Sequence, residues 1–145
     1  MQVFGRIGVL IASVAFAVHT AQAQSFERVG DSLCDGRKLS PRDYTECLRK
    51  AQENSDRDLR ERISAIGTII DKTTGLQGTQ KTRWKKALDD NQGLWVRFRN
   101  AECQEMTVFE SGNKTRIAEE QRICILDYNQ RRMSEFKQRY PALSL

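Results

Sequence analysis

The chain has 145 residues, with 24 basic and 19 acidic side chains, a formal net charge of +5 and one histidine. This length allows one domain with one modest core. The charge excess is far below the dense basic surface of proteins that bind duplex nucleic acid. The sequence therefore predicts a single small domain and argues against a nucleic-acid partner.

Residues 1–23 have the pattern of a secretory signal peptide. Arg6 precedes the apolar run IGVLIASVAFAV, and the segment ends in the small residues AQA. A positive start, a short apolar middle and small residues before the cleavage point define such signals, and the run is shorter than the roughly 18 residues of a membrane span. We therefore expect an exported protein, periplasmic or secreted, that consists of one domain over residues 24–145. No cysteine sits at the cleavage point, so no lipid anchor and no stable membrane insertion are expected.

The mature chain would have no histidine, because His19 lies in the predicted signal. Histidine-dependent nucleophilic triads and histidine metal sites are then excluded. Four cysteines remain, none spaced as C-x-x-C, and in an oxidising compartment an even number indicates disulfides. A zinc site made from all four is the alternative, and neither a metal nor a cofactor is expected. The cysteines are Cys34, Cys47, Cys103 and Cys124.

The first long helix is predicted from about residue 41 to residue 71. In the sequence SPRD, Ser40 suits the N-cap, Pro41 the first helical position and Asp43 the acidic place of a capping box. The glycine-containing loop at residues 72–80 ends the helix. Its apolar side chains recur at helical spacing on one broad face: Tyr44, Leu48, Ala51, Leu59, Ile63, Ile66 and Ile70.

Two further helices are predicted, from about residue 81 to 108 and from about residue 114 to 139, separated by SGN at 111–113. Three long helices with short connections favour an up-down-up arrangement. The predicted fold class is therefore all-α, a small disulfide-stapled antiparallel bundle of about three long helices. The expected inward residues are Trp84, Leu88, Trp95 and Phe98 on the second helix, and Ile117, Ile125, Tyr128 and Phe136 on the third.

The positions of the cysteines in the predicted hairpin indicate how they pair. Cys103 precedes Asn113 by ten residues, and Cys124 follows it by eleven. In an antiparallel hairpin that turns at SGN, both lie about 15 Å from the turn, level with each other as a disulfide requires. We therefore predict the pair Cys103–Cys124, which leaves Cys34 to pair with Cys47.

Two arginines are predicted to point into the bundle. At about 100° per residue, Arg99 falls on the same helix face as Trp95 and Cys103, whereas Arg97 falls opposite and faces water. The same projection places Arg132 on the inner face of the third helix. A guanidinium keeps its charge at ordinary pH, so each buried arginine requires acceptors or a bound anion.

Two interpretations of these arginines follow. In the first, Arg99 forms an internal pair with Asp56, and carbonyls at helix ends accept the remaining donors. In the second, Arg99 and Arg132 line an anion pocket above Trp95. We favour the internal pair, because arginine stems commonly pack against aromatic rings.

The same residues carry a family resemblance. The spacing Gln92-x2-Trp95-x3-Arg99-x3-Cys103 resembles the Q-x2-W-x3-R-x3-C signature of the lysozyme-inhibitor LprI-like family of exported bacterial proteins. The resemblance spans about Cys34 to Phe136. It implies a structural motif made of Asp56, Gln92, Trp95, Arg99 and Arg132, with Leu59 also at its family offset. The departures from the family pattern are Arg60 for asparagine, Ile63 for tyrosine, Asn129 for threonine, Phe136 for leucine and a shortened glycine-rich stretch before the last cysteine.

The resemblance implies a binding protein that inhibits host c-type lysozyme. The lysozyme cleft contains two working carboxylates, so an inhibitor can insert a basic side chain into it. Solvated helix faces are the simpler interpretation of the same basic clusters. The candidate partner-binding residues are Lys81, Arg83, Lys85 and Lys86 near the first loop, and Lys114 and Arg116 beside SGN.

An alternative function is an envelope interaction module that binds an anionic glycan, lipid headgroup or acidic protein. The net positive charge and the basic run at residues 131–139 favour it. An enzyme would be limited to carboxylate chemistry, and no acidic pair stands out, so we expect a protein without enzymatic activity. The sequence does not predict the oligomeric state.

Overall fold

A computed structural model describes residues 28–143; the predicted signal peptide and the expected start near Gln24 lie outside the described residues. Within the described range the chain is helical and has no strand, and three long helices form the predicted all-α bundle. No described helix is both long and apolar enough to cross a membrane. In chain order the elements are α1 (Val29–Leu33), α2 (Pro41–Lys72), α3 (Gly78–Asn100), a π-helical turn (Ala101–Met106), α4 (Thr107–Glu110), a 3₁₀ turn (Lys114–Arg116), α5 (Ile117–Arg139) and a final 3₁₀ turn (Pro141–Leu143).

The start of α2 agrees with the prediction from its capping residues. Ser40 Oγ accepts a hydrogen bond from the backbone N–H of Asp43 at 3.2 Å, and its own O–H is 2.7 Å from the Asp43 carboxylate. Pro41 occupies the first helical position, where its missing N–H has no consequence. The helix ends at Lys72, one residue beyond the expected end.

The second helix begins earlier and continues further than predicted. It begins at Gly78 because the backbone N–H of Gln77 donates to Gln80 Oε1 at 2.8 Å, which satisfies a donor at the helix start. Its path continues through the π-helical turn to Glu110, two residues past the expected end. The π-helical turn contains Cys103. It was not predicted, because a helical pattern of apolar residues does not show where the backbone hydrogen bonding changes to the wider π form.

The short helix α1 was also not predicted from the sequence, since five residues are too few to show a helical period of apolar side chains. It is held on α5 by the backbone N–H of Val29, which donates to Asp127 Oδ1 at 2.8 Å, and by Arg28, 2.6 Å from Glu120. Gly30 lies against Ile123, and a Cβ at Gly30 would be only 2.6 Å from Ile123 Cγ1. Close approach of α1 to α5 therefore requires glycine at this position.

Replacing Gly30 with alanine is expected to lower the free energy of unfolding by about 1–2 kcal/mol. Overpacking costs about 1–3 kcal/mol, because the buried, β-branched Ile123 has to shift to make room for the new Cβ; this outweighs the roughly 1 kcal/mol helix preference of alanine. Thermal unfolding would measure the loss. Gly78→Ala is the matched control, since a Cβ there meets nothing within 4 Å. Equal melting temperatures for the two variants would contradict the close packing of α1.

The core forms two clusters along the bundle. One contains Leu59, Ile66, Ile70, Leu88 and Phe136; the other contains Cys34, Tyr44, Leu48, Ile123 and Leu126. The apolar face predicted for α2 thus faces the core along its whole length.

On α3 the inward prediction was wrong at two positions. Trp84 and Phe98 are 38% and 52% exposed, whereas Leu88 is buried. The reason is that α3 packs mainly against α2 and less against α5, so the part of it that faces the core is narrower than its apolar arc. Phe98 lies at the edge of this contact, with its ring 5.8 Å from the Tyr128 ring in an edge-on arrangement.

Both disulfides have the predicted pairing. Cys34–Cys47 links the end of α1 to the first turns of α2, with Cα atoms 6.0 Å apart. Cys103–Cys124 links the π-helical turn to α5, with Cα atoms 5.4 Å apart. No cysteine is left free, so the alternative of a four-thiolate zinc site is wrong.

Candidate functional site

Arg99 lies at the centre of a polar network between the three long helices. Its Nη1 is 2.7 Å from Asp56 Oδ1 on α2 and 2.7 Å from Asn129 Oδ1 on α5. Nε and Nη2 donate to Asn100 Oδ1 at 3.2 and 3.0 Å, and the guanidinium lies 5.5 Å from the centre of the Trp95 ring. The network therefore joins α2, α3 and α5 through one buried charge.

Asn129 completes this network from α5. It is buried, and its Nδ2 donates to Asp56 Oδ1 at 2.9 Å and to Ser55 Oγ at 2.7 Å. In the sequence Asn129 stands out only as a departure from the family pattern. Asn129 lies three residues before Arg132, on the same face of α5. This spacing could have identified it as a member of the network.

Arg132 forms a second polar group beside the first. It donates to Asn91 Oδ1 at 2.6 Å, Gln92 Oε1 at 3.2 Å and Glu135 Oε2 at 2.8 Å. Its guanidinium is 5.3 Å from the centre of the Trp95 ring, which therefore contacts both buried arginines. The spacing from Gln92 to Arg99 thus places an acceptor, a ring and a cation on one face of α3.

These contacts favour the internal pair over the anion pocket. The pair between Arg99 and Asp56 is present, and side-chain oxygens accept from both guanidinium groups. The expected acceptors at helix ends were wrong: the remaining donors go to side-chain amides and, for Arg132, to Glu135. The five motif residues therefore hold the helices together.

The predicted basic residues near the first loop cluster at the start of α3. Lys81 Nζ donates to the Asp71 carbonyl and Lys85 Nζ to the Asp71 carboxylate, each at 2.7 Å. Lys86 pairs with Asp90 at 2.6 Å. Arg83 is exposed and forms no hydrogen bond or ion pair with any described residue. Arg83 is thus the cation of this cluster that has no partner among the described residues.

The basic residues beside SGN stabilise the tip of the hairpin between α4 and α5. Lys114 Nζ donates to the carbonyls of Val108 and Phe109 at 2.8 and 3.3 Å. Arg116 pairs with Glu119 and lies 5.0 Å from the centre of the Tyr44 ring. Both cations are thus engaged within the chain.

The two predicted basic clusters lie at opposite ends of the bundle. The first contacts residue 71, near the end of α2, and the second contacts residue 44, near its start. At about 1.5 Å per residue these contacts are separated by about 40 Å. The two clusters therefore do not form one continuous basic surface.

Exposed apolar side chains provide a second surface feature, which was not predicted. They lie mainly on α3 and on the hairpin tip, where Phe109 is 78% exposed. Contiguous exposed apolar groups commonly mark interaction sites. The most exposed of them on these elements are Leu94, Phe98, Met106 and Phe109.

The carboxylates whose pKa shifts are resolved are not suited to acid catalysis. Hydrogen bonding by Arg37 lowers the pKa of Asp35 to about 2, and Arg49 lowers that of Glu46 to about 2. A general acid requires a raised pKa. In the range 28–143 the acidic and cysteine side chains form no group of three or more that could hold a metal ion.

One comparison with known proteins gives a match. The family model described as lysozyme inhibitor LprI matches residues 34–136, more than two thirds of the chain. The match begins at the first cysteine, and it includes both disulfides and the whole arginine network. Neither a curated protein nor a solved structure matches.

Proposed function

The chain belongs to the lysozyme inhibitor LprI family, and from this premise we propose that it is an exported protein that inhibits a c-type lysozyme by occluding its cleft. Export follows from the signal-like residues 1–23, which leave residues 24–145 as one domain in the periplasm or outside the cell. The partner is then a protein, and the chain supplies a rigid surface without chemistry of its own.

The observation that carries the proposed contact is the free guanidinium of Arg83. The neighbouring Lys81 and Lys85 are both held by Asp71, which fixes the first turns of α3 against the end of α2. Arg83 therefore projects from a rigid end of the bundle. Two carboxylates in the lysozyme cleft would accept its donors in a paired geometry that suits arginine.

Reversing this charge is expected to weaken inhibition strongly. Arg83→Glu would leave the cleft carboxylates unpaired and add repulsion, so we expect a loss of about 30-fold or more, since truncating one partner of a buried interfacial pair costs about 2 kcal/mol or more. The measurement is lysis of bacterial cell walls by a c-type lysozyme, titrated with oxidised protein. Arg97→Glu is the matched control, because Arg97 is also exposed on α3 and the change in net charge is the same.

If Arg83→Glu and Arg97→Glu weakened inhibition equally, the loss would be a general effect of net charge and not of a specific contact made by Arg83. If Phe109→Ser abolished inhibition while Arg83→Glu did not, the contact would lie at the hairpin tip. If lysozyme kept its full activity in an excess of the oxidised wild-type protein, the proposal that this protein is an inhibitor would be wrong.

The net positive charge favours the alternative of a module that binds an anionic glycan, lipid or protein. Lys137 and Arg139 are exposed in the last turn of α5 and would contribute to such a surface. The two functions respond oppositely to salt. Lysozyme is itself cationic, so added salt should leave association unchanged or accelerate it, whereas binding of an anionic partner should weaken. Repeating the titration at low and moderate salt separates them.

A further inference from the structure

A groove of about 710 Å³ lies between α1, α2 and α5, away from Arg83. Its floor is mainly apolar and includes Val29 and Leu33 from α1, Ala51 from α2, and Leu126 and Met133 from α5. The Cys34–Cys47 disulfide also lines it. This groove takes no part in the proposed lysozyme contact.

The rim of the groove is a single stripe along α2. Asp43, Glu46, Lys50, Asn54 and Asp58 line it, each three or four residues after the last, so they share one face of the helix. From residue 43 to residue 58 the stripe is about 22 Å long, at about 1.5 Å per residue. That length matches about four turns of a second helix.

The charge of the rim is opposite to that of the chain. It carries three carboxylates and one ammonium group, while the chain has a net charge of +5. Glu46 is already paired with Arg49 at 2.6 Å and Lys50 at 3.6 Å. Asp58 is exposed and has no hydrogen bond or ion pair with any described residue. A carboxylate is thus free for an external cation at one end of the stripe.

Asp43 provides a second carboxylate at the other end of the stripe. It accepts the O–H of Ser40 and forms no ion pair within the described chain. Between the two ends, Leu33 at the edge of the groove is 58% exposed. Covering it would remove apolar surface from water, which favours association.

We infer that this groove is a docking site for a cationic amphipathic helical peptide. The apolar face of the peptide would cover Leu33, Ala51 and Met133, and its basic residues would pair with Asp43 and Asp58. Laying an apolar helix face in a groove is a general mode of peptide recognition. The same carboxylates would repel an anionic peptide. The rim therefore favours cationic peptides over anionic ones.

The probe is a fluorescently labelled leucine–lysine peptide of about 14 residues, with leucines at helical spacing. Its binding to the oxidised protein is followed by fluorescence anisotropy at low salt. Asp58→Lys is expected to weaken binding about five-fold or more, as reversing a partly exposed charge pair does. The matched control, Asp89→Lys, changes the net charge equally at an exposed position on α3 outside the groove, and it should change binding less than about two-fold.

Leu33→Ser supplies a second test, since an exposed position tolerates substitution, and it should also weaken binding. Arg83→Glu should leave peptide binding intact, which separates this site from the proposed lysozyme contact. The inference would be overturned by equal losses in Asp58→Lys and Asp89→Lys, or by equal binding of a peptide with glutamate in place of lysine. Absence of binding by the wild-type protein would also overturn it.

Discussion

Replacing Arg99 with alanine is expected to lower the free energy of unfolding by about 3 kcal/mol. Breaking a buried ion pair typically costs about 3–5 kcal/mol, and the loss of Arg99 removes the cation that pairs with Asp56 and the donor to Asn129 Oδ1. The Asp56 side chain is 26% exposed, so water relieves part of its cost, and the lower end of the range applies. The side chain also covers part of the Trp95 ring, and that packing is lost as well.

Thermal and denaturant unfolding would measure this loss, which corresponds to a fall in melting temperature of roughly 10 °C in a domain of this size. Arg97→Ala is the matched control, because Arg97 is exposed on the same helix and its removal should be nearly neutral. An Arg99→Ala protein as stable as the wild type, but unable to bind its partner, would contradict the structural role and place Arg99 in a binding site.

Reducing both disulfides is expected to have a still larger effect on stability. Each bridge closes a short loop, with sequence separations of 13 and 21, and such a loop contributes about 3 kcal/mol by restricting the unfolded chain. Two bridges together contribute about 6 kcal/mol, which lies within the total of about 5–15 kcal/mol for a typical domain. The reduced protein should therefore lose most of its cooperative unfolding transition and, with it, the proposed inhibition of lysozyme.

Circular dichroism with and without reductant, beside the inhibition assay, would check this expectation. Two double variants separate the bridges: Cys34→Ser with Cys47→Ser removes the one at α1, and Cys103→Ser with Cys124→Ser removes the one below the hairpin tip. Each should retain a folded bundle of lower stability. A reduced wild-type protein that melts at the same temperature as the oxidised one would show that helix packing alone suffices.

The features of this protein that its sequence alone determined are those that depend on near neighbours along the chain. The start of α2 follows from Ser40, Pro41 and Asp43, because capping satisfies backbone groups within one turn. The apolar face of α2 follows from its period. The pairing of Cys103 with Cys124 follows from their equal distances to the turn, and that relation survives the π-helical turn.

The direction of Arg99 and its pair with Asp56 were also predictable, since a charge on an apolar face requires an opposite charge nearby. The role of Asn129 could not be predicted from the sequence. Its side-chain amide binds Arg99, Asp56 and Ser55 only because three helices meet at this point. The period of α5 places Asn129 on a face but does not identify what lies opposite.

Only the tertiary structure decided which parts of the surface are available to partners. The exposure of Trp84 and Phe98 depends on how much of α3 its neighbours cover, and a helical period contains no information about the number of neighbours. The six predicted basic residues look alike in the sequence, yet Arg83 is free while Lys114 and Arg116 hold the hairpin tip. The acidic groove likewise depends on α1 docking on α5 through Asp127. Long-range packing selects which side chains are used internally, and so determines which remain for binding.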